Sequence, residues 1–364
     1  MVLVKKVRRR GAGAAAGGPS RATSSLRPVF ADKEAPCVHA CPCGTDVRGF
    51  VGAMAGAGRP GPSEAEAVRR AFDIIADRNP LPAVCGRLCP HHCETGCSRD
   101  PYDGAVSVNQ VERAIAEAAI NASWPLPRID DRGDAPAAAG PVTVIGAGAA
   151  GLSAAYQLAR RGCRVRLVDP HAEAGGELRY GIGAERLPRA VLDAEVERIL
   201  ALGVPFVGSA DLAAFETAGA RVLKTKIYVD GTPVATGAIA ASIHFGRHAA
   251  TLLLAGGGAA GTIGAEPARR PPVDRGRVIV DHFAHAPRGD AGETTWSAAE
   301  AAAEARRCLQ CGGCIACDNC WKYCPDQAVI RPLEPGAPYR FRLEFCQGCS
   351  KCAEQCPTTY IEMR

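Results

Sequence analysis

The sequence predicts a multidomain α/β protein, with a cysteine-rich domain on each side of a cysteine-poor middle. Three observations support this fold class. The eighteen cysteines form two blocks, seven between Cys37 and Cys97 and ten between Cys308 and Cys356, and only Cys163 lies between them. Helical spacing of apolar residues accompanies the first block, and short apolar strands alternate with helices in the middle. A length of 364 residues is enough for two or three domains.

Composition narrows the class of protein. Apolar residues make up 47 % of the chain, enough for a hydrophobic core, and the net charge of +5 is too mild to indicate nucleic-acid binding. No run of eighteen apolar residues is present, so we expect no membrane span. The basic start of the chain passes into Gly and Ala rather than an export signal. We therefore expect residues 1–30 to form a disordered basic arm, and the protein to be cytoplasmic.

Residues 31–123 are expected to form a small helical domain. Ser63 and Glu66 have the spacing of a capping box, in which the two residues satisfy each other's backbone N–H groups at a helix start. Ser107 and Gln110 repeat that spacing before a second helix. The proline-rich residues 124–140 are expected to form a linker.

Residues 141–258 show the pattern of a Rossmann-like domain. A short apolar strand, Val142 to Ile145, precedes a G-x-G-x-x-G turn and a helix, and a second strand ends at Asp169. Glycines in such a turn let backbone N–H groups approach a pyrophosphate, and the acid accepts a hydrogen bond from a ribose hydroxyl. The predicted dinucleotide contacts are Gly146, Gly148, Ala149, Ala150, Gly151 and Asp169.

A second glycine run, Gly256 to Gly261, has the same spacing. Prolines follow where a phosphate-binding helix would have to continue, and no second strand with an acid appears. We therefore interpret this run as a helix end, followed by a linker over residues 259–296.

Residues 297–364 contain two cysteine runs of one spacing, C-x2-C-x2-C-x3-C-P, which is typical of proteins with two 4Fe–4S clusters. Three thiolates of one run reach one face of a cluster, and the fourth comes from the other run. One predicted ligand set is Cys314, Cys317, Cys320 and Cys356. The other is Cys346, Cys349, Cys352 and Cys324. A zinc ribbon or a disulfide knot is the alternative, but zinc sites usually use paired C-x2-C units. This segment is therefore predicted to be an α+β bacterial-ferredoxin-like domain.

The middle of the chain resembles the small subunit of glutamate synthase and its relatives. The resemblance lies in Gly175-Gly176-Glu177-Leu178-Arg179-Tyr180-Gly181-Ile182 and the following Arg186-Leu187-Pro188, although Gly183 stands where the family has proline. It implies that FAD binds at the glycine turn. It also implies FAD contacts from Gly175, Gly176, Leu178 and Arg179, and from Asp230 in a segment similar to the one that closes the FAD domain.

The same resemblance covers the first cysteine block. Its motifs are Cys37-x3-Cys41-Pro42, Asn79-Pro80-Leu81-Pro82 and Gly86-Arg87-Leu88-Cys89-Pro90. In the family this block binds 4Fe–4S clusters, which implies one cluster on Cys41, Cys89, Cys93 and Glu112. Whether a second cluster uses Cys37, Cys97 and the less typical Cys43 and Cys85 is left open. The roles of Cys308 and Cys311 are also open: zinc, an additional cluster or free thiols.

The family's NAD(P) domain is missing or reduced, because only about a hundred residues separate Leu202 from Arg307. Three functions fit these observations, none with catalytic side chains of its own. The first is electron transfer through FAD and clusters, as a subunit of a larger oxidoreductase such as a 2-oxoacid or aromatic-acid complex. The second is a self-sufficient NAD(P)H:ferredoxin-type oxidoreductase. The third is an iron–sulfur docking module without functional flavin.

Overall fold

A computed structural model describes residues 24–31, 33–56, 62–129, 141–212, 239–254, 269–289, 294–334 and 336–364, together with Phe215, Gly292 and the strand segments 221–224, 228–229 and 232–233. The chain divides into two compact units. The larger unit is Asp32–Gly313, and the smaller unit combines Met1–Ala31 with Cys314–Arg364.

The first part of the larger unit is helical, as predicted. The capping box of Ser63 and Glu66 is confirmed, but the one predicted for Ser107 and Gln110 is wrong. Ser107 instead donates its hydroxyl to the carbonyl of Gly289 and its N–H to Glu304. The helices described here are α1 (Pro36–Ala40), α2 (Val47–Ala55), α3 (Glu64–Ala76), α4 (Pro82–Leu88), α5 (His92–Thr95), α6 (Asp100–Asp103) and α7 (Val108–Asn121).

A four-stranded parallel sheet forms the middle of the larger unit. Its strands are β2 (Val142–Ile145), β3 (Val165–Val168), β4 (Phe206–Val207) and β5 (Arg221–Lys224), in the order β4-β3-β2-β5. This is half of the Rossmann arrangement, and the strand order reverses beside β2. Its helices are α8 (Ala149–Ala159), α9 (Glu177–Tyr180) and α10 (Arg189–Leu200). The Rossmann-like fold predicted for this segment is therefore present.

Helix α8 is buried over most of its length because a later helix, α11 (Ile239–Leu254), packs along it. The two helices approach closely at Gly246, where a Cβ atom would collide with the carbonyl oxygen of Ala150. The hydroxyl of Ser153 donates to the carbonyl of Ile243 at 2.8 Å. A small antiparallel pair, β6 (Tyr228–Val229) and β7 (Thr232–Pro233), precedes α11. Asp230 and the second glycine run lie outside the described residues.

The helical part and the sheet belong to one unit because buried polar contacts join them. Arg160 of the Rossmann part donates to the backbone carbonyl of Asp77 at 2.7 Å. Residues 269–313 pack on the helical part through two 3-10 turns (Arg275–Arg277 and Val280–His282) and helix α12 (Ala298–Ala305), which contacts α7 and α2. Ser297 and Glu300, which have the capping-box spacing in the sequence, form that box at the start of α12. The units therefore divide after Gly313 rather than at residue 297, the predicted domain boundary.

The smaller unit has two short helices, α13 (Asn319–Lys322) and α14 (Lys351–Glu354), which contact each other. Its antiparallel pairs are β8 (Val329–Ile330) with β9 (Arg340–Phe341), and β1 (Pro28–Phe30) with β10 (Ile361–Met363). A 3-10 turn covers Leu343–Phe345. The prediction placed Pro28–Phe30 in a disordered arm, and the structure corrects this, because their backbone groups complete the edge of β10. Residues 1–23 lie outside the described part.

Within the described ranges, no helix is long and apolar enough to cross a membrane.

Candidate functional site

A cavity in the smaller unit is lined by one of the predicted cysteine sets, and it is called the C-terminal cavity below. Three of its thiols come from the first run and the fourth from the second. Phe30, Tyr339 and Ile361 form apolar parts of its wall. The cysteines are Cys314, Cys317, Cys320 and Cys356. The structure therefore brings together four residues that the sequence had grouped from two separate segments.

The second predicted set is gathered in the same way. Burial and, to a smaller extent, the neighbouring thiols of Cys346, Cys324 and Cys349 together raise the pKa of Cys352 to about 11, against an opposing hydrogen bond from Ala353. Like-charge repulsion of this kind requires the thiols to lie near one another. This set also contains three cysteines of one run and one of the other.

The two runs adopt the same backbone conformation. Left-handed φ angles occur at matching places, +66° at Asp318 and +64° at Ser350, and +53° at Gln327 and +58° at Thr359. Such angles are uncommon outside glycine. They turn backbone N–H groups towards sulfur: Ala328 donates to Sγ of Cys324 at 3.2 Å, and Tyr360 donates to Sγ of Cys356 at 3.3 Å. Each run is thus a loop that points thiols inwards and N–H donors at them.

A second cavity lies in the larger unit, between α4, α7 and the loop after α1, and it is called the N-terminal cavity below. The four residues that the resemblance implied as ligands all line it: Cys41, Cys89, Cys93 and Glu112. Cys43 and Cys85 also line it, although the sequence gave them no clear role. The Cys43 thiol donates to the carbonyl of Arg78 at 3.4 Å, and burial raises its pKa to about 12, so Cys43 is a protonated neighbour in this arrangement.

Glu112 is the only carboxylate among the described residues that line this cavity. Burial raises its pKa to about 8, and a hydrogen bond from the Asn79 amide at 3.0 Å partly offsets that effect. A buried carboxylate with one oxygen held by Asn79 can present the other to a cation. The donor set of three thiols and one carboxylate therefore fits an iron–sulfur cluster.

Helix α4, which carries Cys85 and leads to Cys89, is fixed by a residue that sequence reasoning missed. Glu195 of α10 is fully buried, and its carboxylate accepts the N–H groups of Ala83 at 2.7 Å and Val84 at 3.1 Å. These are unpaired donors of the first turn of α4, which has no side-chain cap of its own. A glutamate in the middle of an amphipathic helix gave only a weak signal of this role.

Cys37 and Cys97 do not line the N-terminal cavity. The pKa of Cys37 is raised well above its usual range by burial and then by the thiols of Cys308, Cys97 and Cys311. The structure therefore places these two cysteines beside the pair Cys308 and Cys311, whose role the sequence left open, although Cys37 also lies near enough to Cys93 to raise the pKa of that thiol.

No group of three or more His, Cys, Asp or Glu side chains in the described ranges is gathered as the ligands of a single metal ion would be.

The predicted glycine turn lies at the carboxyl end of β2. Gly148 is the N-cap of α8 and has no side-chain cap, so the first N–H groups of that helix are available to an anion. No atom lies within 4 Å of where a Cβ atom of Gly148 would stand, whereas a Cβ atom on Gly176 would overlap Gly148. Gly176 therefore packs against the glycine turn, and the side of the turn at Gly148 stays open.

Asp169 is at its predicted place after β3, but its carboxylate is already engaged. One oxygen accepts the N–H of Ala147 at 2.7 Å, and the other accepts the N–H of His171 at 2.9 Å. The residue is only 2 % exposed. Its role in this structure is to fix the glycine turn, and the ribose contact stays a prediction.

The other residues of the Gly175–Arg179 segment also hold the turn. The N–H of Gly175 donates to the carbonyl of Ala147 at 2.9 Å, and Leu178 is buried. The Arg179 guanidinium donates to the carbonyl of Ala174 at 2.7 Å and pairs with Asp193. These contacts form a rigid rim around a turn that fits a dinucleotide.

Comparison with known proteins covers the first half of the chain. Residues 24–124 match the family described as dihydropyrimidine dehydrogenase domain II, 4Fe-4S cluster, and residues 144–187 match NAD(P)-binding Rossmann-like domain. These matches confirm the resemblance found in the sequence.

The curated relatives are oxidoreductase subunits. NADPH-Fe(3+) oxidoreductase subunit beta of Geobacter sulfurreducens is 34% identical over 49% of this chain and 25% of its own length. NADP(+)-dependent formate dehydrogenase subunit beta of Moorella thermoacetica is 35% identical over 54% of this chain and 28% of its own length. NAD-dependent dihydropyrimidine dehydrogenase subunit PreT of Escherichia coli O157:H7 is 33% identical over 50% and 43%. The chain thus spans less than half the length of each of these relatives.

Among solved structures, histamine dehydrogenase from Rhizobium sp. 4-9 matches 39% of this chain and 21% of its own, with 24% identity and a TM-score of 0.23.

Proposed function

We propose that the chain transfers electrons between a redox partner and 4Fe–4S clusters through bound FAD, as a subunit of a larger oxidoreductase. The observation that carries this proposal is the C-terminal cavity, whose thiols follow the three-plus-one pattern of a two-cluster ferredoxin. The names of the curated relatives, which are subunits, support a partner protein.

Bound clusters accept one electron at a time and bound flavin accepts two, which is the chemistry these groups would supply. The residues of this chain hold and tune them. Backbone N–H groups of Ala328 and Tyr360 stabilise negative charge on sulfur, and apolar residues such as Phe30 and Ile361 exclude water from the C-terminal cavity. The open side of Gly148 and the start of α8 would receive the pyrophosphate.

A nicotinamide dinucleotide is the second candidate for the glycine turn, because residues 144–187 match an NAD(P)-binding domain. In that case the chain would use NAD(P)H itself, with a flavin at another site to take the hydride's two electrons and pass them singly to the clusters. FAD is favoured because the Gly175–Arg179 segment resembles a flavin-binding family.

The test is to purify the protein without oxygen and to quantify iron, acid-labile sulfide, zinc and released flavin. We expect iron, sulfide and flavin, with bleaching of the visible spectrum by dithionite but not by NADH or NADPH alone. Bleaching by NAD(P)H alone would establish the second candidate. Clusters without flavin would favour an iron–sulfur docking module. Zinc in place of iron would contradict all three candidate functions.

A pair of variants links the metal to the C-terminal cavity. Cys317→Ala should remove about four irons per chain, because the cluster loses one of its ligands and alanine supplies no replacement. Cys163→Ala, at a position that follows α8 and lies outside both cysteine blocks, should leave the iron content unchanged. Equal iron in both variants would contradict the assignment of this cavity.

A further inference from the structure

We propose that four cysteines from the two ends of the larger unit bind an additional 4Fe–4S cluster. The four are Cys37, Cys97, Cys308 and Cys311. The inference rests on the proposed function, since it extends the same electron path.

The N-terminal pair is brought together by close packing of two short helices. Cys37 lies in α1, and Cys97 follows α5. A Cβ atom at Gly96 would come within 2.9 Å of the carbonyl oxygen of Pro36 and within 2.8 Å of Cβ of Ala40. Only glycine permits this approach, which sets Cys37 and Cys97 side by side.

The C-terminal pair is held against them by polar contacts that span about two hundred residues of sequence. Arg99 donates to the backbone carbonyl of Arg307 at 2.7 Å, immediately before Cys308. Arg48 donates to the carbonyl of Cys311 at 3.1 Å. The thiol of Cys311 lies 3.4 Å from the hydroxyl of Ser98, the neighbour of Cys97. The four cysteines therefore meet where residues 269–313 return to the helical part.

The loop from Cys308 to Cys311 has the conformation of a cluster-binding loop. Gln310 has a φ of +55°, and its N–H donates to Sγ of Cys308 at 3.4 Å. In the C-terminal run, Gly348 has a φ of +73°, and its N–H donates to Sγ of Cys346 at the same 3.4 Å. Gln310 adds a side-chain amide donor to the same sulfur at 3.3 Å. These N–H donors are directed at a sulfur that carries negative charge when it binds iron.

Because the four thiols are buried close together, ionising all of them without a nearby cation is unfavourable. Burial and, to a smaller extent, the thiols of Cys311 and Cys97 together raise the pKa of Cys308 to about 12, against hydrogen bonds from Gln310. A positively charged cluster core would offset this repulsion and allow all four to ionise.

Chain connectivity places this site beside the N-terminal cavity. Cys37 and Cys41 lie one helical turn apart, with the Cys41 N–H donating to the Cys37 carbonyl at 3.2 Å. A cluster on the four cysteines would thus share a short chain segment with a ligand of the N-terminal cavity.

The test compares Cys37→Ala, Cys308→Ala and the double variant with the unsubstituted protein, all purified without oxygen. Each single variant should lose about four irons and about four sulfides per chain, and the double variant should lose no more than either, because one cluster is removed only once. The EPR spectrum of the reduced protein should sharpen in each, since neighbouring reduced clusters broaden each other's signals. Flavin content should stay at the level of the unsubstituted protein.

Several outcomes would overturn the inference while leaving the proposed function intact. They are unchanged iron in the single variants, additive losses in the double variant, an unaltered EPR spectrum, or loss of one zinc instead of iron. Absence of iron or flavin from the unsubstituted protein would instead refute the proposed function. Far-UV circular dichroism and the Cys163→Ala variant show whether iron loss reflects general unfolding. A loss of helix signal or of flavin in Cys308→Ala would move the test to Cys37→Ala alone, where retention of iron counts against the site.

Discussion

Replacing Asp103 with asparagine tests the contact that places the Cys308 segment on the helical part. The Asp103 carboxylate is 1 % exposed and accepts hydrogen bonds from Arg99 at 2.6 Å, from Arg307 at 3.2 Å and from the N–H of Ala286 at 2.8 Å. An asparagine has nearly the same shape but leaves two buried guanidinium groups without this negative partner.

The magnitude follows from the pKa of Asp103. Burial raises this pKa, but the hydrogen bonds from Arg99 and Ala286 and the charges of Arg99 and Arg307 outweigh it and lower the pKa from 3.8 to about 2. At 1.36 kcal/mol per unit, that difference contributes roughly 2 kcal/mol to the free energy of unfolding. Removing one partner of a buried ion pair typically costs about 3–5 kcal/mol. We therefore expect Asp103→Asn to destabilise the protein by about 3 kcal/mol at pH 7.

The pH dependence has a definite sign. Because the pKa is lowered by folding, the stabilisation is complete above about pH 4 and is lost as the pH falls through about 2. The difference between Asp103→Asn and the unsubstituted protein should therefore be constant from pH 8 to pH 5 and shrink only in stronger acid.

Guanidinium denaturation under anaerobic conditions, followed by far-UV circular dichroism, measures this difference. Asp73→Asn is the matched control, since Arg69 and Asp73 form an ion pair of the same i,i+4 spacing with the carboxylate 41 % exposed. It should cost less than about 0.5 kcal/mol. Equal effects of the two substitutions, or a difference that varies between pH 8 and pH 5, would refute the reasoning.

Three further predictions concern the cofactor sites. Gly246→Ala should lower the amount of dinucleotide that stays bound through gel filtration roughly tenfold, because its Cβ atom would collide with the Ala150 carbonyl oxygen. Gly276→Ala is the control and should leave that amount unchanged, since the nearest atom to its Cβ position is 3.5 Å away. Glu195→Gln should lower stability in thermal denaturation by about 1–3 kcal/mol, since an amide cannot accept both N–H groups at the start of α4. Glu112→Gln should keep the iron of the N-terminal cavity, and Glu112→Ala should lose about four irons, because only the former retains an oxygen ligand.

Local signals predicted the local structure well. The Ser63 and Ser297 capping boxes are present because both partners lie within one turn of chain, so no distant residue has to supply them. The prediction for Ser107 was wrong for the opposite reason. Its N–H and hydroxyl are taken by Glu304 and Gly289, about two hundred residues later, and these partners outcompete Gln110.

The functional sites divide in the same way. The spacing of the cysteine runs grouped Cys314 with Cys356, because the three-plus-one rule contains its own long-range partner, and the two residues line one cavity. Their role as cluster ligands stays a prediction. The spacing before Asp169 placed that residue after β3, but it could not show that Ala147 and His171 already occupy the carboxylate.

The sequence by itself determined the two thiol-rich loops of the smaller unit, the glycine turn after β2 and the helical character of the described residues between Pro36 and Asn121. All of these depend on residue types at fixed short separations, which limit backbone conformation directly. Only the tertiary structure decided that Cys37 and Cys97 face Cys308 and Cys311 rather than Cys41 and Cys89. That choice depends on buried contacts such as Arg99 with the Arg307 carbonyl, which join segments too distant in sequence for spacing to specify.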